Sequence, residues 1–553
     1  MTGADIIVTN AVVRTMDPHR PRATAFAIGG GRVLRGGSDE DVRDLAGEGT
    51  EVVDLAGAAV IPGLVDVHNH HLMAGEADLY QLGFSPTAGF DEVIEAVRDY
   101  SAGLAADAWV IGEAFGSVLI EDFSHVSARY RLDEAAGGRP VALTDDSHHN
   151  RFASTRALEL AGITADTPDP DKGHIVRDPD TGEPTGLLLE SATISLTEAV
   201  DAGLQRTPER YREASRRALE ILHSFGITAF QDAAATVEIM GALRELDEAG
   251  ELHAWVSSCM LSSGFLFANT PFGEELVVRG EEFRTEHHRP DFVKVALDGV
   301  PPTYTGAFLT PYLDSAEHGH GHCGVTTMDP QELRAWLLWT AERGLGAKIH
   351  CTGDASVRVA LDAIDAVRSA GHTEQRYHIA HGQFVHPQDR ARFSSLDVAA
   401  DISPYLWFPG VIPDAIAAVR PAEQAAQLQP NRDLLDLGVL VAGGSDWPVS
   451  VSPNPWEGIQ GLVTRADPLG RAPGTLWIEQ AVSLEEALEI FTINGARAMG
   501  LDDVTGSLTV GKSADFAVLS MDPFTVPADR IVDTYATETW FAGRRVHTHP
   551  VTS

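Results

Sequence analysis

Ile61-Pro62-Gly63-Leu64-Val65-Asp66-Val67-His68-Asn69-His70-His71 reads as a buried apolar strand that ends in two imidazoles one residue apart. Side chains of a strand repeat with period two, so His68 and His70 project the same way from its end. Two neutral imidazoles converging there can bind a divalent metal. A solvated His-rich turn is the bland alternative, and the surrounding chain has to decide between the two.

Further apolar runs at 226–230, 254–258, 292–297, 347–350, 378–381, 398–402 and 439–442 alternate with helical patterns. Such alternation marks βα units and a parallel sheet. With 64–68 they make eight strands, the number a closed (β/α)8 TIM barrel needs. Pro140-Val141-Ala142-Leu143 also reads as a strand. It is placed outside the barrel, because the gap between the first two barrel strands far exceeds one helix and its loops. The expected class is therefore α/β: a barrel with an α+β insert after its first strand and a small composite β-sandwich built from both termini. The expected boundaries are 1–60 and 505–553 for the two halves of the β-domain, 61–84 for barrel strand one, 85–224 for the insert and 225–504 for strands two to eight. Short strands with Gly-rich turns fill the first 60 residues. Gly506-Ser507-Leu508, 514–519, 536–541 and 545–547 do the same at the other end.

Composition narrows the function. The net charge of −39 argues against nucleic acid or an anionic membrane as partner, since both need a positive footprint. Three cysteines, Cys259, Cys323 and Cys351, cannot form a disulfide framework and suggest a reducing compartment. No signal-peptide pattern and no membrane-spanning run is visible, so a cytoplasmic enzyme acting on a small molecule is expected, with room for a homodimer. Of 41 basic residues only Lys172, Lys294, Lys348 and Lys512 are lysines. A lysine inside an apolar strand of this chain calls for a reason.

Barrel enzymes carry their chemistry at the C-terminal ends of the strands. There the sequence offers His68 and His70 on strand one, Lys294 on strand four, His350 on strand five, His381 on strand six and Asp446 after strand eight. Singly, each has a bland explanation: a satisfied core histidine, a turn cap, a snorkelling lysine. Six coincidences at matching strand ends point to a metal site.

The same stretches resemble the amidohydrolase superfamily, in particular family 3, a group that includes N-substituted formamide deformylase. The resemblance rests on 62–70, Val293-Lys294 with Asp298-Gly299, His350-Cys351-Thr352-Gly353-Asp354, Ala380-His381-Gly382-Gln383 and Gly444-Ser445-Asp446-Trp447-Pro448. In the insert it extends to 146–150 and to Gly186-Leu187-Leu188-Leu189-Glu190. It implies two divalent metal ions, with zinc expected and manganese, cobalt or iron open. His68, His70 and Asp446 would hold one, and His350 and His381 the other. Lys294, carboxylated by CO₂ to a carbamate, would bridge them. It implies hydrolysis of a C–N bond, in an amide or N-substituted formamide, by a metal-bridging hydroxide, with Asp446 as general base and then acid. Lys294 and His381 join Asp446 in the catalytic group.

Two departures keep alternatives open. His71 adds an imidazole, although period two turns it away. Cys351 follows His350, and related D-aminoacylases use a cysteine ligand in a site dominated by one metal. A mononuclear N-acyl amino acid deacylase, a hydrolase of cyclic amides, carbamates or esters, and a non-catalytic ligand-binding barrel are the competing readings.

For the substrate, Trp407 with Phe408 lies near the end of strand seven, and Tyr304, Phe308 and Tyr312 follow strand four. Aromatic residues there suit an apolar acyl or N-substituent. His148 and His149 in the insert are candidates for a hydrogen bond from a lid. Glu317-His318-Gly319-His320-Gly321-His322-Cys323 lacks an apolar scaffold and is expected to be a flexible loop near the mouth.

Overall fold

Gly63 is where one layer of structure becomes another. The strand Ala59–Pro62 belongs to a β-sandwich, and Leu64–Asn69 begins the barrel one residue later. A Cβ at position 63 would lie 1.9 Å from the Thr228 hydroxyl, so only glycine allows the crossing. The computed structural model describes residues 3–85, 88–116, 119–145, 150–170, 173–204, 206–263, 271–315 and 318–550. It divides into two units, Met1–His71 with Ala218–Ser553, and Leu72–Arg217.

In the first unit eight strands form one parallel sheet in sequence order: Leu64–Asn69, Ile227–Ala235, Trp255–Leu261, His288–Ala296, Gly346–Cys351, Tyr377–His381, Val398–Ile402 and Val441–Gly443. The barrel closes where Asn69 pairs with Trp447, reinforced by Asp446 N–H to His68 O at 2.7 Å and His70 N–H to Trp447 O at 2.9 Å. All six residues of strand one are buried, as expected of a parallel strand covered on both faces. Strand two runs five residues beyond the apolar reading, because Gln231 and Asp232 break the apolar run while remaining inside the barrel. The helix Asp354–Ser369 shows how the outer layer is attached. It buries Val357, Ala360, Leu361, Ile364 and Val367, spaced as one helical face.

The sandwich has a four-stranded sheet from the N-terminal segment and a six-stranded sheet shared by both ends of the chain. In the shared sheet Phe516–Leu519 runs antiparallel to Ala59–Pro62, with Ala517 opposite Ile61. Val8, Phe26, Val60, Phe516 and Trp540 fill the space between the sheets. The expected strand at 506–508 is not formed. Gly506 takes φ +81°, which breaks the extended run, while Leu508 still buries in the sandwich core. Asp515 fastens sandwich to barrel: its carboxylate accepts from Ser513, Thr505, the Ala542 N–H and the Trp255 indole.

The second unit is a six-stranded mixed sheet, and Val141–Asp145 is one of its strands. Apolar clusters built on Phe123 and Phe152, and on Leu158, Leu188 and Leu196, form its core. No helix among the described residues is long and apolar enough to cross a membrane.

Three buried histidines of the first unit make stability depend on pH. Burial pushes His223, His288 and His378 down to about 4 each. Each donates one ring N–H to a carbonyl, of His253, Phe283 and Ala498 respectively. An unfolded histidine protonates near pH 6.5. Below that pH the unfolded chain takes up protons that the folded chain refuses until about pH 4. Their contribution is thus complete above pH 6.5 and drains as pH falls, by up to about 3 kcal/mol per histidine. Calorimetry should show Tm dropping from pH 7 to pH 5, and dropping less steeply in His223→Gln. A flat Tm over that interval would contradict this account.

Candidate active site

Strand one places the centre of the site. His68 is fully buried, and its Nδ1–H donates to Asp401 Oδ2 of strand seven at 3.2 Å. That bond leaves the Nε2 lone pair facing inward, as a metal-binding histidine needs. Nε2 lies 3.5 Å from Asp446 Oδ1, and His70 Nε2 lies 3.3 Å from the same oxygen. Each of His68, His70 and Asp446 thus offers an atom within 4.8 Å of the other two. Two imidazoles and a carboxylate converging in a buried place form a suitable donor set for a divalent transition metal.

The other three expected residues adjoin this set. Lys294 Nζ sits 3.2 Å from His68 Nε2. The His381 ring lies 4.7 Å from that of His68, and the His350 ring 4.6 Å from that of His381. His350 Nε2 donates to Gly299 O at 3.2 Å, which leaves its Nδ1 with the lone pair.

Burial favours the neutral form of three of the imidazoles, His68, His381 and His350. Burial, then the charges of Lys294 and Lys348, holds His68 well below the ordinary histidine range. Burial does the same to His381, and it lowers His350. Burial opposes ionisation of Asp446, but the His70 hydrogen bond and the His381, His70 and Lys294 charges outweigh it and keep its pKa low. Lys294 is pushed down to about 8, first by burial and then by Lys348. More of it is therefore free amine near neutral pH than of an ordinary lysine.

His71 and Cys351 stand apart from the donor set. His71 Nδ1 donates to Asp232 Oδ2 at 2.6 Å, on strand two. The Cys351 thiol is buried beside Ser356, and burial pushes its pKa well up.

The aromatic candidates divide. Trp407 is fully buried, with the Arg465 guanidinium 3.9 Å from its ring centre. Phe308 is buried among Tyr312, Phe384 and Arg420. Tyr304 remains half-buried. Its ring packs at a tilt against His318, with centroids 4.6 Å apart, and its carbonyl accepts from His322 Nε2 at 2.8 Å. The histidine tract has a scaffold after all, an aromatic one contributed by Tyr304 and Tyr312. His148 and His149 lie outside the described residues.

Sequence reasoning missed Asp401 and Lys348. Lys348 Nζ donates to Asp401 and to the Val67 carbonyl at 2.7 Å, so it joins strands one, five and seven beneath the site. Two of the four lysines, Lys294 and Lys348, are register partners on neighbouring strands. An aspartate and a second lysine within apolar strands were the available signal.

With this geometry, the matches to known proteins gain meaning. Residues 51–547 match the amidohydrolase family. This chain belongs to the amidohydrolase family. It is a hydrolase acting on carbon–nitrogen bonds other than peptide bonds. It is 31% identical over 530 residues to an N-substituted formamide deformylase of Arthrobacter pascens, covering 94% of each chain. It is 30% identical to Protein LONG AFTER FAR-RED 3 of Arabidopsis thaliana, covering 94% of this chain and 87% of that one. An uncharacterized metal-dependent hydrolase from Pyrococcus furiosus shares the fold, with TM-score 0.74 and 22% identity over 94% of this chain and 100% of its own. A second from Pyrococcus horikoshii gives TM-score 0.75 and 22% identity, covering 95% and 99%.

Asp401→Asn puts an amide where the carboxylate fixes the His68 tautomer. Zinc affinity, measured by competition with a chromophoric chelator, should fall about 10–100-fold while the far-UV spectrum stays native. Unchanged affinity would remove Asp401 from this role.

Proposed function

We propose that this amidohydrolase cleaves the C–N bond of an N-substituted formamide or a related small amide, giving a carboxylic acid and an amine. The observation that carries the reading is the convergence of His68, His70 and Asp446 at the closing seam of the barrel, with Lys294 in contact. The formamide deformylase relative supports the substrate class.

In this reading His68, His70 and Asp446 hold one divalent ion, zinc by the character of the donors, and His350 and His381 hold a second. Such ions supply Lewis acidity, which polarises a carbonyl and acidifies water. Lys294 as the free amine would attack CO₂, forming an N–C bond and releasing a proton, and the carbamate would supply a further anionic oxygen donor to the metals. The Asp446 carboxylate takes a proton from water as the new C–O bond forms. It returns that proton to nitrogen as the C–N bond breaks, so acid and amine leave neutral overall.

A one-metal site is the second reading. It is favoured by the compactness of the set His68, His70 and Asp446. Elemental analysis of protein grown with bicarbonate separates them, near two metals per chain against near one.

Lys294→Ala should fold, lose one or both metals and lose formate release from N-substituted formamides. Full metal content in that variant would end the bridging role. Asp446→Asn should cut turnover by about 10²–10⁴, and normal turnover would exclude Asp446 as the base.

A further inference from the structure

Arg465 follows the helix Pro455–Thr464, takes a left-handed φ of +55° and is fully buried. Among the described residues no carboxylate lies within ion-pair distance of it. A buried unpaired cation is expensive, so its surroundings must satisfy it. Its face rests on Trp407, and its N–H groups reach three carbonyls: Leu476 at 2.8 Å, Leu428 at 2.8 Å and Gln429 at 3.4 Å.

Gln429 in turn grips the end of strand six. Its backbone N–H donates to Gln383 O at 3.0 Å, and its side-chain amide donates to His381 O. Gln429 and His381 are themselves left-handed, with φ +59° and +65°.

His381 differs from the other candidate imidazoles. Asp401 orients His68, Asp446 adjoins His70, and Gly299 O fixes His350. The buried Nδ1 of His381 has no hydrogen-bond partner. No ring hydrogen bond sets its direction among the described residues, so its backbone conformation must. A left-handed non-glycine residue persists only where its surroundings over-determine it.

We propose that Arg465 and Gln429 are positioning residues that hold His381 in its left-handed conformation, with Trp407 as the platform under Arg465. This rests on the reading of His381 as a metal ligand. The arginine reaches His381 through one intermediate, Gln429, and gives Trp407 a part in the site without substrate contact. Lysine could not replace it, because a single ammonium cannot span three carbonyls in a plane while stacking on an indole.

The test measures zinc affinity by chelator competition in the full chain. Gln429→Met removes one hydrogen bond at nearly constant volume and is the deciding variant if the Arg465 variants do not fold. Gln429→Met, Arg465→Met and Arg465→Lys should each weaken the more labile zinc about 10–100-fold. In a His381→Ala background, adding Gln429→Met should change nothing further. A general packing role would still weaken binding there and would overturn the proposal. If His381→Ala loses zinc but Gln429→Met binds like the parent, the clamp is wrong and the ligand reading stands. If His381→Ala binds like the parent, the ligand reading itself fails, and the clamp with it.

Discussion

The seam between the first and eighth barrel strands carries the rest of the structure. Strand eight is only three residues long, and the chain beyond it runs directly against His68. A Cβ on Gly444 would lie 2.5 Å from the backbone nitrogen and Cβ of His68, so the approach is open to glycine alone. Ser445 then fastens the seam through its N–H and hydroxyl to the buried Asp66, at 2.9 and 2.6 Å. Asp446 follows, with its N–H on His68 O. Closing the barrel and bringing Asp446 to His68 and His70 are therefore one event. A ligand held by those three residues would stabilise the closed barrel by mass action, because the open chain has no such site.

Beneath the seam lies an uneven arrangement of charge. Lys294 and Lys348 are buried register partners, and two cations at one level of a barrel repel each other strongly where water is scarce. Asp401 relieves one of them. Its carboxylate takes both the Lys348 ammonium and the His68 Nδ1–H. Lys294 Nζ meets the His68 imidazole, and burial and the Lys348 charge together lower its pKa against the opposing pull of Asp446. Lys348 is thereby ion-paired with Asp401, and Lys294 is left disposed to lose its proton. The same carboxylate that neutralises Lys348 turns His68 toward the site, so strand seven shapes the centre without contributing a donor to it.

The strands were legible because a parallel barrel strand is buried on both faces and reads as an unbroken apolar run. Their chemistry was legible where it stands at strand ends, as with His68, His350 and His381, since period two and the barrel rule point those side chains inward. Asp401 and Lys348 escaped because each looks like an isolated exception, and what pairs them is the arrangement of strands five and seven rather than any local pattern. Trp407 was located correctly at the end of strand seven, but which way its ring turned depended on Arg465, far along the chain. The strand at 506–508 failed for a local reason: alternating residues suggested extension while Gly506 was needed at positive φ.

Left-handed backbone recurs at the points that matter. His381, Gln429, Asp446 and Arg465 all have φ between +55° and +65°, at a cost of about 1–2 kcal/mol for each such residue. Two of these residues carry candidate donors and two hold one of those donors in place. Hydrogen bonds tie three of them to distant segments: the Asp446 N–H to the His68 carbonyl, the His381 carbonyl to the Gln429 side-chain amide, and the Arg465 guanidinium to the Leu428 carbonyl. The stability of the barrel is thus partly spent on keeping donors in a geometry their own backbone disfavours.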